Sequence, residues 1–495
     1  MATSTSQETT RLGGAGRKLN LIDVVAQSVG FMGPVFSIAF LVPLVVGLIS
    51  ATGKGAGGAA PFAVLIAAGG ILAIAWIVSE YAKRIQAAGA LYDYVTDGLG
   101  ERVGAAAGFL YYLGVMALGG GLLVLIAGTI HDTLLAEFGF KGIPITVWAI
   151  ILLVLVATIM YLGVTLSTRA QLVLALISIA TVLLFSLYVI VKVGGSNDLA
   201  AAFKPSSSPT GWQGIAFGIV YGVLLFTGFE TAANLGEETE HPKRDIPRAV
   251  LASVLIVGGF YLVCSYAQVA GYKFDLQAMG KNASAPLFGL AAPAAAGGYG
   301  GTAMIRLLEL VVVLDMLAVL IGISVASSRG IFAMARDHRF PSALGRVSHR
   351  GTPLNAGFVV LAFFAVVVVL TRQAIGLFAV PGMPHYFAMF SWGSSFGGLA
   401  LAVIYLLLCV GAVKGLRSHP SQVKVWTAVV VGVVVTVAAV FGAVYQVPAP
   451  TIWCGYAVVG VFVVGLAMAF LVPGRQAPHT AYDELIESER GPLKL

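Results

Sequence analysis

The chain has 495 residues, of which 58% are hydrophobic and only 10% charged, and its formal net charge is +7. Soluble domains carry roughly 25% charged residues, so this composition excludes a soluble globular protein. The excess of Lys and Arg follows a membrane topology, as shown below, and no nucleic-acid partner is drawn from it.

The first stretch, residues 1–20, is polar and lacks the apolar core and small-residue cleavage site of a signal peptide, so it reads as a tail. Apolar runs then recur at about the twenty residues needed to cross a hydrocarbon core. They predict helices over 22–50, 61–80, 104–130, 143–162, 169–193 and 213–236. The second half predicts 248–271, 304–332, 354–371, 386–411, 424–445 and 451–472, followed by a polar tail over 473–495. The runs are continuous, which excludes a β-barrel, whose strands alternate every second residue. An all-α integral membrane protein with twelve transmembrane helices is expected.

Positive charge is retained on the cytoplasmic side of short loops. With the N-terminus inside, 21 of the 29 basic residues fall on that side, including Lys83, Arg84, Arg244, Arg329 and Arg336. Both termini are therefore expected to be cytoplasmic, in a plasma or inner membrane. Cys264, Cys409 and Cys454 lie within spans without metal-ligand spacing and read as packing residues. The seven histidines form no pair at helical spacing, so neither a cofactor nor an enzyme is expected. Asn282-Ala283-Ser284 matches a glycosylation triplet, relevant only in a eukaryotic secretory host.

Two helices carry breaks. In the first, QSVGFMGPVFS places Gly30, Gly33 and Pro34 in mid-run, and in the sixth Thr227-Gly228 precedes a carboxylate, Glu230. Breaks five helices apart occupy corresponding positions in two five-helix halves and point to a binding site between inverted repeats. Unwinding there exposes N–H groups suited to a carboxylate and carbonyls suited to an ammonium or cation. Close helix packing is the competing reading for these glycines.

Gly228-Phe229-Glu230, then Glu237-Glu238 and Pro242-Lys243-Arg244-Asp245-Ile246-Pro247-Arg248-Ala249, resembles the sixth-helix signature of the amino acid, polyamine and organocation permease superfamily. RGIFAMARDHRFP from Arg329 is similar to the end of that family's eighth helix, and Ala88-Gly89-Ala90-Leu91-Tyr92-Asp93-Tyr94 to its stretch after the second. The resemblance spans about residues 18–472. It implies the leucine-transporter-like fold, with 21–193 and 213–411 as inverted repeats and 424–472 as two peripheral helices. It further implies secondary transport of an amino acid, or a related amine, by alternating access. No ATP-binding motif is present, in keeping with this.

Carried over by position, Gly30, Phe31, Met32, Gly33 and Pro34 would cradle the substrate carboxylate. Thr227, Gly228 and Phe229 would face the ammonium, with Leu224 and Phe226 flanking. A gating aromatic of several relatives falls on Leu224, a departure for which Phe226 is one candidate replacement. Ile323 and Gly114 are the expected contributions of the eighth and third helices. Glu230 is a candidate for proton coupling or for structural support of the break. Asp315 is expected in the outer third of the eighth helix, either lining a vestibule or pairing structurally with Arg306 or a neighbouring helix.

For coupling, H+, Na+ and substrate exchange without ion coupling all stay open. A lysine of some proton-coupled relatives falls on Ser178, a neutral residue; Ser178 with Ser327, Ser328 and carbonyls of the first-helix break is a candidate Na+ site, as in sodium-coupled members of the fold, with helix packing by small hydroxyl residues the preferred reading. Glu237 and Glu238 read as a solvated, salt-bridged loop, with an inner gate the sharper alternative. A neutral zwitterionic amino acid is the preferred substrate, ahead of a polyamine or other organic amine. A channel or transporter-like sensor is the reading from another class; it lacks both a filter sequence and a soluble domain.

Overall fold

Asn20 starts the first helix with a capping box: its side chain accepts from Asp23 N while Asp23 accepts from Asn20 N. From there the computed structural model describes residues 18–48, 54–140, 142–283, 285–348, 351–373, 376, 384–445, 447 and 449–471. Residues 1–17, the tail over 473–495 and Ser284 of the glycosylation triplet lie outside the described residues.

Among the described residues twelve helices are long and apolar enough to cross a membrane. They are α1 Leu21–Val46, α2 Gly57–Ala82, α3 Glu101–Leu135, α4 Ile145–Leu162, α5 Arg169–Ser196 and α6 Trp212–Leu235. The second half comprises α7 Pro242–Gly271, α8 Thr302–Arg336, α9 Leu354–Gln373, α10 His385–Gly415, α11 Gln422–Val444 and α12 Trp453–Leu471. All twelve expected spans are present. The third and eighth run beyond their apolar stretches, because the helix continues through Glu101 and Arg336 at its polar ends.

Burial separates centre from rim: 94% of the apolar window of α1 is buried against 17% of that of α4. Large apolar side chains such as Leu184, Val191, Val434 and Tyr456 are exposed on α5, α11 and α12, as expected where the solvent is hydrocarbon. At the centre, small residues bring backbones together. A Cβ on Gly393 would meet Ala117 O at 2.6 Å and one on Gly397 would meet Gly114 O at 2.7 Å, so α3 and α10 touch without intervening side chains. Helix α11 lies against α2, with Gly70 at Val435, and α12 against α3, with Gly465 at Ala106, both at the edge of the bundle.

Candidate substrate site

Helix α1 is cut at Gly33, which adopts φ 54° and ψ 67°, a left-handed conformation natural only for glycine. Pro34 begins the next half-helix, its missing N–H costing nothing at a first helical position. That half-helix runs unbroken to Val46 through a π-helical stretch at Ser37–Leu41. Helix α6 stops at Leu225 and resumes as a 3-10 helix at Phe229–Leu235, with Gly228 at φ 113° between them. The breaks face each other: a Cβ on Gly228 would overlap the Phe31 ring. Ser28 Oγ donates to Phe229 O at 2.7 Å and accepts from Ala232 N at 3.2 Å, lashing α1 to the lower half of α6. Tyr261 of α7 reaches both cut ends, donating to Leu225 O at 2.7 Å and Met32 O at 3.5 Å.

Between the breaks lies a cavity of about 20 Å³, room for a water molecule. Helix α1 lines it with Phe31, Met32, Phe36, Ser37 and Leu41, and α6 with Leu224 and Thr227. Leu118 and Leu122 come from α3, Val319 from α8, and Phe390 and Ser394 from α10. The lining is aliphatic and aromatic with three hydroxyls and no charged side chain. Admitting anything larger requires the lining to move apart.

Side-chain contacts cross the bundle on either side of the cavity. On one side Phe36 meets Phe390 edge-on at 5.5 Å, and Phe387 touches both Phe390 and Phe40 at 6.3 Å. On the side of the N-terminus, Arg329 of α8 makes a fork with Glu238, 2.6 and 3.0 Å, and both side chains are buried. Leu19 N donates to Glu238 O at 2.9 Å and Glu240 N to Leu19 O at 3.0 Å, so the start of α1 is sewn onto the same segment. Arg336 pairs with Glu237, which also accepts from Ala88 N at 3.3 Å. This corrects the reading of Glu237 and Glu238 as solvated charges: the long α8 carries its arginines inward over the end of α6, where the carboxylates are shielded from water.

The two intramembrane carboxylates hold the breaks. Glu230 Oε1 accepts from Tyr111 of α3 at 3.0 Å, and Oε2 accepts from Tyr405 of α10 at 2.8 Å and from Gly228 N at 3.1 Å. Every oxygen of Glu230 is thus occupied. Asp315 is fully buried, and its Oδ2 accepts from Val35 N at 3.0 Å and Phe36 N at 2.8 Å. Its hydrogen bonds go to the neighbouring helix α1 and not to Arg306, and it lines no outer vestibule, because the cut in α1 presents an N-terminus deep in the bundle at the level of Asp315. Gly33 has no side chain to cap that N-terminus, and Asp315 does so from another helix.

Several other expected site residues lie elsewhere. Gly30 leaves room for Gln171 of α5, and Gly114 for Ala400 of α10, so both are helix-packing residues outside the cavity lining. Ile323 is buried where a Cβ on Gly119 of α3 would meet it; Val319, one turn earlier, reaches the cavity instead. Phe226 turns toward α7, edge-on to Tyr261 at 5.2 Å, and so does not replace an aromatic at Leu224. Phe229 is buried beside the Tyr405 ring. The candidate Na+ set is not assembled: Ser178 Oγ donates to Leu174 O and Val311 O, both at 2.8 Å, and Val311 is sixteen residues from Ser327 on one helix, about 24 Å along its axis. Ser328 Oγ donates to Val325 O at 2.9 Å, and Ser327 Oγ is buried without a partner. Among the described residues no group of three or more His, Cys, Asp or Glu is placed to hold a metal ion.

Sequence reasoning missed Tyr111, Tyr261, Tyr405 and Ser28 around the breaks, and Phe36, Ser37, Leu41, Leu118, Leu122, Val319, Phe390 and Ser394 in the cavity lining. Only the position of Ser28, five residues before Gly33 on a broken helix, offered a signal; a tyrosine's partner depends on helix rotation, which an all-apolar helix does not reveal.

A bundle with two cut helices facing each other across a small cavity defines a polytopic membrane transport protein. The amino acid permease family model matches residues 29–450, and the chain belongs to that family. It is 25% identical over 330 residues to a branched-chain amino acid permease of Lactococcus lactis, covering 63% of this chain and 68% of that one. A branched-chain amino acid permease of Bacillus subtilis is also 25% identical, over 61% of this chain and 65% of its own length. A vacuolar cationic amino acid transporter of Arabidopsis thaliana is 26% identical over 72% of this chain and 60% of its own. These matches span about two thirds of the relatives' length. In structure the chain is similar to a manganese transporter of Eremococcus coleocola, with a TM-score of 0.54, 14% identity, and coverage of 90% and 94% of the two chains. The leucine-transporter-like fold follows.

Proposed function

We propose that this chain is a secondary transporter that carries a neutral amino acid with an apolar side chain through the cavity between the two breaks by alternating access. The carrying observation is the lining itself: Phe31, Met32, Leu118, Leu122 and Phe390 surround the cut backbone of α1 and α6. An apolar body packs on such walls, while backbone carbonyls at the cuts, with the hydroxyls of Ser37 and Thr227, receive an ammonium. The names of the two bacterial relatives, both branched-chain permeases, support the same substrate class. In this reading helices α1–α5 and α6–α10 act as the inverted repeats, the membrane is the plasma or inner membrane, and both termini are cytoplasmic. The absence of acidic side chains from the lining disfavours polyamines, which present several ammonium groups and no carboxylate.

The test is a thermal-shift screen of the purified protein with amino acids and amines. A ligand binding only the native state raises apparent stability, by about 2.7 kcal/mol at a hundred times its Kd. Leucine, isoleucine or valine is expected to raise the unfolding temperature, and Gly228→Leu, which drives a side chain into Phe31, to abolish the shift. An unchanged shift in that variant would reject the assignment of the cavity.

A further inference from the structure

The half-helix that starts at Pro34 has few N–H groups to offer a substrate. Gly33 N donates to Val29 O, Pro34 has none, Val35 N and Phe36 N donate to Asp315, and Ser37 N donates to Gly33 O. The cut in α6 is similarly used: Phe226 N and Thr227 N donate to Val223 O and Leu224 O, Gly228 N to Glu230, and Phe229 N to Phe226 O. No charged side chain lines the cavity. A zwitterion entering it finds carbonyls for its ammonium, yet the backbone donors for its carboxylate are already held by a protein carboxylate.

Asp315 differs from Glu230 in one respect. Both Glu230 oxygens accept hydrogen bonds, whereas Asp315 Oδ1 is buried and has no partner. An ionised carboxylate with an unpaired buried oxygen lacks a compensating charge or proton. The groups facing it supply none. On α7 these are Tyr261, whose hydroxyl is spent on Leu225 O and Met32 O, and Cys264. Helix α5 offers Ser178, bonded to Leu174 O and Val311 O, and α1 offers the N–H groups of Val35 and Phe36 with the Ser37 hydroxyl, which donates to Met32 O. On α8 itself Glu309 lies six residues away, Arg306 nine and Arg329 fourteen.

We propose that Asp315 is the proton-coupling site of the carrier, occupying the anion position of the α1 break until a proton replaces its hold on Val35 and Phe36. This rests on the amino-acid reading above. One proton binds the Asp315 carboxylate and makes it neutral, a weak acceptor. The substrate carboxylate then takes the N–H groups of Val35 and Phe36, and its ammonium the carbonyls at the cuts. After the cavity opens to the other face the zwitterion leaves, Asp315 releases the proton there and caps the half-helix again. Each cycle moves one proton with one zwitterion and therefore one positive charge. The device needs no lysine at Ser178 and no metal ligand.

The experiment uses the full-length protein in proteoliposomes with L-leucine, after a screen of all twenty amino acids confirms or replaces it as probe. Wild-type binding is expected to tighten as pH falls, approaching tenfold per pH unit, and uptake to carry one positive charge per leucine and to stop accumulating when the proton gradient is collapsed. Asp315→Asn keeps the shape and one acceptor but takes up no proton: its binding is expected to be flat with pH and its leucine exchange retained, with proton-driven accumulation lost. A merely structural cap would leave the pH profile of the variant unchanged. The proposal is overturned by pH-indifferent binding in wild type, or by an Asn variant with the wild-type pH slope. The wild-type profile decides even where the variant fails to fold. Failure of every amino acid to bind at any pH would instead overturn the amino-acid reading, and the proposal with it.

Discussion

Tyr405 and Glu230, 175 residues apart in sequence, meet at 2.8 Å inside the bundle, the phenol of α10 donating to the carboxylate that follows the cut in α6. With Tyr111 and Gly228 N on the same carboxylate, Glu230 ties α3, α6 and α10 at one point. Removing it strands three donors away from water. At about 1–3 kcal/mol for each group left unpaired, Glu230→Ala is expected to lower the unfolding temperature far more than Tyr405→Phe or Tyr111→Phe. Thermal unfolding in detergent checks the order, and equal shifts for the three variants would contradict the three-way clamp.

The Arg329–Glu238 fork is buried on the side of the N-terminus. Truncating one partner of a buried pair typically costs about 3–5 kcal/mol, because the other charge stays unpaired, while replacing both with apolar residues is often neutral. Arg329→Met alone is therefore expected to destabilise strongly, and Arg329→Met with Glu238→Leu to recover most of the loss. A double variant as unstable as the single would show that the pair contributes by something other than mutual neutralisation.

How much of this was legible in the chain depends on depth versus rotation. Twelve apolar runs gave twelve helices, and Gly33-Pro34 and Thr227-Gly228 marked both cuts, because glycine and proline disturb the backbone wherever the helix faces. Which side of α3 or α8 looks inward is a rotational question, and apolar helices in lipid carry little pattern to answer it. Hence Gly114 and Ile323 stood in for Leu118 and Val319, and Asp315 was placed by depth alone without the half-helix it caps. Ser178 and Ser327 share a residue type and not a level, which undid the cation site.

Glycine substitutions separate required from incidental positions. Gly33 and Gly228 have positive φ, and a Cβ at either would overlap Val319 or Phe31. Backbone strain of about 1–3 kcal/mol and overpacking of similar size are expected from Gly33→Ala and Gly228→Ala, with substrate binding lost. Gly69→Ala and Gly460→Ala meet nothing within 4 Å and are expected to be neutral or to stabilise slightly, as alanine does within a helix. Unfolding temperatures and binding for the four variants check this; loss of binding in Gly460→Ala would contradict it.

Asp93 lies outside the spans, in the short helix Leu91–Leu99, where burial and then the nearby Asp337 carboxylate hold its carboxyl well above the usual range. The native state then binds more protons than the unfolded one between the ordinary carboxylate value, about 3.9, and the raised value. Stability accordingly falls as pH rises through that window. Asp93→Asn is expected to raise the unfolding temperature at neutral pH and to flatten its pH dependence on the alkaline side. A variant less stable than wild type at neutral pH would show that the ionised carboxylate is a stabilising partner.

The most direct measurement is an experimental structure of the protein with a bound amino acid, solved at acid pH. The account predicts the ligand between Phe31–Ser37 and Leu224–Thr227, its carboxylate within about 3 Å of Val35 N and Phe36 N and Asp315 displaced from them. An amino acid bound elsewhere in the bundle, or bound in the cavity with Asp315 still capping the half-helix, would contradict it.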